Sequence, residues 1–232
     1  MRKKFGIVAC CTFIVVSVTA MLIFIFSGNK IIEGDSGISL KGTWKVVSVV
    51  DNNTVSLPEN NYIIFENENA IVYRGKTDSP FAKSEYTIDK NLNLKLSELS
   101  RQYAVRKLSN NIIRLYESKT IYMNLIKYSG VNMADIPFDV ANINGRWNVV
   151  YRNTDEIIHN EYLVFKEERI YDYRNGSEEP ISSSEYSIKN GKHLIAKSWS
   201  KDMILTPLSE NRIILVETDT GYVWELEKNL SK

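Results

Sequence analysis

Apolar residues are distributed along this chain in two distinct ways. Residues 5–26 form one uncharged run, whereas the chain from about residue 40 onward breaks into short segments rich in Val, Ile, Tyr and Leu, separated by turn residues. No long amphipathic helix is readable there. Leu92-Asn93-Leu94-Lys95-Leu96 alternates as a half-buried strand should. Asn175-Gly176 and Asn190-Gly191 are strong tight-turn signals. The pattern predicts strands at 43–50, 61–66, 70–74, 84–89, 92–96, 102–108, 112–117 and 121–128. It predicts a second set at 146–152, 161–166, 169–174, 184–189, 192–197, 202–208, 212–217 and 221–227.

The two sets are copies of one unit. Gly42-Thr43-Trp44 returns as Gly145-Arg146-Trp147, and Tyr62-Ile63-Ile64-Phe65 returns as Tyr162-Leu163-Val164-Phe165. Tyr73-Arg74 returns as Tyr173-Arg174, and Ser84-Glu85-Tyr86-Thr87-Ile88 as Ser184-Glu185-Tyr186-Ser187-Ile188. Leu108-Ser109-Asn110-Asn111 matches Leu208-Ser209-Glu210-Asn211, and the strands that follow match as well. The spacing is 103 at the tryptophans and 100 in the later blocks. It places one domain at 40–128, a linker at 129–142 and a second domain at 143–228.

Eight short antiparallel strands with short connections predict an all-β fold, each copy a small closed up-and-down barrel, with a β-sandwich as the alternative. Closure removes the unpaired edges through which strands recruit one another.

Gly42-Thr43-Trp44 and Gly145-Arg146-Trp147, each opening a first strand, resemble the first-strand signature of lipocalins. The later order, with Tyr86-Thr87-Ile88 and Tyr186-Ser187-Ile188 before a turn and a Leu-Ser-x-Asn strand near the end, is similar to short bacterial lipocalin-like domains. The resemblance implies that Trp44 and Trp147 pack across the closed end of each barrel. It implies that Gly42 and Gly145 let the chain turn into the first strand. Larger lipocalins place an arginine over that tryptophan, where Lys127 and Glu227 stand in this chain.

As a helix, residues 5–26 would extend roughly 33 Å, enough to cross a bilayer core. The run ends in Leu22, Ile23, Phe24, Ile25 and Phe26, which are bulky where a cleavable signal needs small residues. The expectation is a signal anchor within residues 1–30. Ile7-Val8-Ala9-Cys10 offers a lipidation alternative. Arg2, Lys3 and Lys4 precede the run, so the N-terminus is expected in the cytoplasm and both domains outside a single-pass cell-membrane anchor.

Charge narrows the function classes. Without Arg2, Lys3 and Lys4 the chain has 26 basic against 28 acidic residues, a poor balance for neutralising phosphates, so no nucleic-acid partner is expected. The two cysteines, Cys10 and Cys11, both lie in the apolar run. With just His159 and His193 as histidines, no metal and no cofactor is expected. No phosphate-loop motif occurs. Glu85 and Glu185, and Glu117 and Glu217, recur at strand positions, and acids kept by both copies read first as parts of the fold. No catalytic residue is assigned and the chain is not expected to be an enzyme; hydrolysis by the repeated carboxylates ranks last.

Binding is the expected class. Alternation puts Phe65, Tyr73, Tyr86, Tyr103 and Tyr122 inside the first barrel, with Phe165, Tyr173, Tyr186, Met203 and Trp224 as their counterparts in the second. Such a lining suits a small apolar ligand captured at the cell envelope. The alternative is a pair of solid barrels whose outer surfaces engage an envelope protein or polymer.

Overall fold

The computed structural model describes residues 38–75, 79–128, 140–153 and 160–230. The anchor segment with Cys10 and Cys11, most of the linker, and His159 lie outside the described residues. The first copy contains β1 (Gly42–Asp51), β2 (Thr54–Ser56), β3 (Tyr62–Glu66), β4 (Asn69–Tyr73), β5 (Ala82–Ile88), β6 (Asn93–Leu96), β7 (Arg101–Lys107), β8 (Ile112–Tyr116) and β9 (Ile121–Tyr128). A 3-10 turn at Val140–Ile143 leads into β10 (Gly145–Arg152), β11 (Tyr162–Lys166), β12 (Arg169–Tyr173) and β13 (Ser182–Lys189). β14 (His193–Ala196), β15 (Lys201–Ser209), β16 (Arg212–Glu217) and β17 (Val223–Lys228) complete the second copy. No helix among the described residues is long and apolar enough to cross a membrane.

Each copy is a closed eight-stranded antiparallel barrel with its strands paired in sequence order. β1 and β9 close the first barrel, and β10 and β17 the second. The predicted strands are all present. The unanticipated element is β2, a short ribbon that folds back on the end of β1 from Asn52 and Asn53, both in the left-handed region.

Each interior is built by alternation. In β6, Leu94 and Leu96 are buried and Lys95 is exposed. In β3, Ile63 and Phe65 point inward and oppose Val72 and Ala70 of β4. One wall of each barrel departs from alternation. Four consecutive residues of β8, from Ile112 to Leu115, are buried, and so are the last five of β16. Both faces of these strands are covered, one by the barrel's own core and the other by the opposite barrel.

A third core therefore lies between the barrels. Val47, Ile112 and Ile126 of the first barrel pack with Ile214, Val216 and Val223 of the second. Bulges at equivalent places, Val46/Ser48 in β1 and Val149/Tyr151 in β10, re-aim this face. In β1 the bulge lets Val47 join the shared core while Ser48 donates a 3.0 Å hydrogen bond to the Gly221 carbonyl. Asn124 donates to the same carbonyl at 2.9 Å and to the Ser48 hydroxyl at 2.8 Å. Glu225, fully buried, accepts hydrogen bonds from Ser109 and, at 2.7 Å, from Asn111. The two barrels thus lie within one compact unit and share buried surface.

Gly221 fixes the closest approach. Its φ is +68°, and a Cβ there would stand 2.8 Å from Cγ2 of Val50. Gly221→Ala is expected to cost about 2–4 kcal/mol, from the left-handed backbone and overpacking together. Urea unfolding followed by tryptophan fluorescence checks this. Trp44 and Trp147 should report one shared transition that moves as a unit; separate transitions would show that the barrels are not energetically joined.

Candidate functional site

Most of the residues expected inside the barrels are there. Phe65 is fully buried and meets Tyr86 edge-on at 5.1 Å; Phe165 meets Tyr186 in the same way at 5.4 Å. Tyr103 packs against the first core, and Met203 and Trp224 belong to the second. Trp44 and Trp147 are buried, and their indole N–H groups donate to the carbonyls of Leu40 (2.7 Å) and Ile143 (2.6 Å). Gly42 and Gly145 have φ of +119° and +118°, so the chain enters each first strand through a backbone conformation that favours glycine.

Three placements are corrected. Tyr73 and Tyr173 lie on the outer face, because the hairpin register pairs Phe65 with Ala70 and Phe165 with Ile170. Residues 70 and 72, and 170 and 172, therefore point inward, and Tyr173 stacks on Tyr162 at 4.6 Å. Tyr122 also faces outward, toward the second barrel, beneath the Arg114 guanidinium at 4.3 Å. Its inward neighbour is Met123, opposite Leu115. The counterpart of Trp224 is thus Met123 rather than Tyr122. The repeat spacing is 100 in the penultimate strand, from Ile113 to Ile213, and becomes 101 in the last, from Leu125 to Leu226. The same extra residue makes Lys228 the counterpart of Lys127, and its ammonium lies 5.5 Å from the Trp147 ring where Glu227 was expected.

The second barrel carries, at its mouth opposite Trp147, a charged cluster that repeat logic did not reveal. Arg152 follows the β10 bulge, pairs with Trp224 and lays its guanidinium 4.2 Å over that ring. It donates to Glu161 and lies 3.8 Å from Asp172. Arg174 donates to Asp172 at 2.7 Å and stands 3.5 Å from Glu161. The two carboxylates are almost wholly buried, at 4% and 5% side-chain exposure, so each needs these partners. Beside them Glu217 accepts from Lys201 (2.5 Å), Thr220 (2.7 Å) and the Trp224 indole (3.1 Å).

The first barrel fills the equivalent space differently. By strand register Val49 matches Arg152 and Val72 matches Asp172, and by spacing Asn61 matches Glu161. It keeps the Arg101–Glu117 pair and the half-buried Tyr103, whose hydroxyl is pushed above the usual tyrosine range by desolvation, with the Glu117 carboxylate adding to the rise. Glu85 and Glu185 are exposed on the outer face. The Lys197 ammonium, 3.0 Å from Glu185, holds that carboxyl below the usual range. His193 is half-exposed, 3.5 Å from Asp202. Among the described residues no cluster of His, Cys, Asp and Glu could hold a metal ion.

Burial pushes Glu161 above the ordinary carboxyl range and the neighbouring Asp172 adds to this, while Arg152 and Arg174 pull it back only in part. The folded state therefore binds a proton more readily than the unfolded chain, and this residue's contribution to stability falls as pH rises through the window between its unfolded and folded values. Urea titrations across that window should show Glu161→Gln removing a loss of stability present in the parent. Arg152→Val alone should cost about 3–5 kcal/mol by stranding two buried carboxylates. Combining it with Glu161→Asn and Asp172→Val, the residues of the first barrel, should cost less than the single change.

No protein-family model matches the chain, and no curated protein matches it. Among solved structures it is similar to a crystal structure of a protein of unknown function from the DUF3598 family of Nostoc punctiforme. The identity is 14% and the TM-score 0.33, over 82% of this chain and 96% of that one.

Proposed function

We propose that the paired barrels are a solid, non-catalytic scaffold that binds through its outer surface and is held outside the cell membrane by residues 5–26. The observation that carries this reading is that each interior is occupied by the chain's own side chains. In the first barrel Phe65, Leu94 and Leu125 are fully buried at the centre. In the second the core is capped by the Arg152–Glu161–Asp172–Arg174 cluster, whose charges are matched in number and hydrogen-bonded to one another. An apolar guest would have to displace these contacts and leave buried charges without partners. The apolar run and its preceding basic residues support the tether.

Native mass spectrometry of the full chain, purified from cells in mild detergent, tests the scaffold reading. The expected result is the mass of the polypeptide alone. A stoichiometric apolar molecule that co-purifies, and is lost on Phe65→Trp or Met203→Trp, would overturn it in favour of an internal ligand. Protease accessibility of the barrels in intact cells against permeabilised cells tests the address; cleavage seen solely after permeabilisation would place them inside.

A further inference from the structure

We propose that the flank of the first barrel beside the join, where Arg106 faces Arg114, is a binding site for a phosphate group. This rests on the scaffold reading and deepens it by naming a surface and a ligand class. Arg106 in β7 and Arg114 in β8 stand directly opposite each other in register. Their neighbours Val105, Ile113 and Leu115 enter the core, so both arginines project outward. Like charges placed in this way on adjacent strands repel.

Among the described residues no carboxylate relieves that repulsion. Arg114 is 5% exposed, and its guanidinium donates to Asn124 at 2.7 Å, to the Tyr116 hydroxyl at 3.2 Å and to Asn153 of the second barrel. All three acceptors are neutral. Arg106 is exposed and makes no hydrogen bond or ion pair with any described residue. The buried Glu161, Asp172 and Glu225, by contrast, each have an arginine beside them.

The repeat shows that the fold does not require the arginine pair. In the second barrel the same two places, again opposite in register, hold Thr206 and Ile214. Val216 and Val223 there replace Tyr116 and Tyr122. Bridging to Asn153 accounts for Arg114. It does not account for a second arginine opposite it. The groove at the closed ends of the barrels offers a contrast. Asn111 and Lys127 wall it on one side, Asn211 and Arg212 on the other. Its polar groups already answer one another: Glu225 accepts from Asn111 at 2.7 Å, and Arg212 donates to Glu227 at 2.6 Å. The arginine flank is the part of the join where charge is left over.

The surplus selects the ligand class. Two positive charges match the roughly 1.5 to 2 negative charges of a phosphate monoester at neutral pH. An exposed guanidinium with its N–H fork uncommitted takes phosphate oxygens in pairs. Arg114, buried beside it, adds a positive field that water screens little. Tyrosine hydroxyls supply further donors. Burial pushes the Tyr122 hydroxyl above its usual range, Arg114 pulls it back, and the neighbouring hydroxyl of the exposed Tyr222 adds to the rise. Tyr151 is pushed up by burial against the pull of Arg114 and Arg106. Both phenols hold their protons at neutral pH, and so they do not repel an anion.

The test titrates the full chain, in a nonionic detergent and a low-salt buffer free of phosphate, with glycerol 3-phosphate, inorganic phosphate and acetate, read by calorimetry. The expected result is saturable binding of the phosphate compounds that weakens as salt rises. Tighter binding of the ester would place the group on a larger molecule, and equal binding would assign the site to the free ion; either supports it. Arg106→Gln should weaken binding about tenfold or more without lowering the unfolding midpoint, since it also removes the repulsion. Arg106→Lys should keep part of the binding. Lys95→Gln, an exposed charge on β6, should leave it unchanged. No saturable binding of either phosphate compound, acetate bound as tightly, binding indifferent to Arg106→Gln, or an equal loss in Lys95→Gln would each overturn the proposal. An apolar molecule found inside a barrel would overturn the scaffold reading and leave this titration to be judged separately.

Discussion

The arrangement of the whole molecule depends on one close approach, that of the β16–β17 turn to the first barrel. The Gly221 carbonyl receives hydrogen bonds from Ser48 and Asn124, and its missing side chain lets Val50 approach to where a Cβ would clash. Those bonds satisfy polar groups that the shared aliphatic core would otherwise leave buried and unpaired. Remove the contact and the outward aliphatic side chains that meet there, Ile112 and Ile126 against Ile214 and Val216, would be exposed to water. The barrels are therefore halves of one folded unit, and their two private cores are linked through a third.

Repetition and its breakdown divide the residues by role. What both copies keep, such as the buried tryptophans, the edge-on Phe–Tyr pairs and the Leu-Ser-x-Asn turns, builds the unit. What just one copy has is a solution to a local problem. The second barrel closes its mouth with a buried ionic cluster where the first uses Val49, Asn61 and Val72. A buried ionic cluster seldom adds stability over an apolar filling of the same shape, but removing one member is costly. The cluster fixes one arrangement of the mouth, because no charge in it can leave without stranding another.

Fold, strand order and repeat were legible in the sequence because period-two alternation and turn residues are local signals. The fine register was not. Tyr73 follows Phe65 by an even number of residues, as an inward neighbour would, but the two-residue turn at Asn67 and Glu68 reverses the parity. In the second copy the added residue at Gly221 shifts the last strand by one, which misaligned Trp224 with Tyr122 and Lys127 with Glu227. The interface did leave a trace. Ile213-Ile214-Leu215-Val216 is an apolar run without alternation, the pattern of a strand covered on both faces. The ionic cluster left a fainter one, Asp172 between two tyrosines, visible only once the strand's inward positions are known.

The groove follows from the same constraint. Two closed barrels, with the short β2 as the one edge strand among the described residues, offer mostly convex walls. Fusing them face to face creates a concave line where the walls diverge, and it is there that the equivalent turns of the two copies come together. Its polar base is anchored from below, since Glu225 is held by Ser109 and Asn111 of one barrel and Arg212 of the other. The groups facing the groove are thus held in place by the contact that joins the barrels. A hinged pair on a loose linker could present the same residues but not in a fixed register. The rigid join makes the groove a surface that neither barrel has alone.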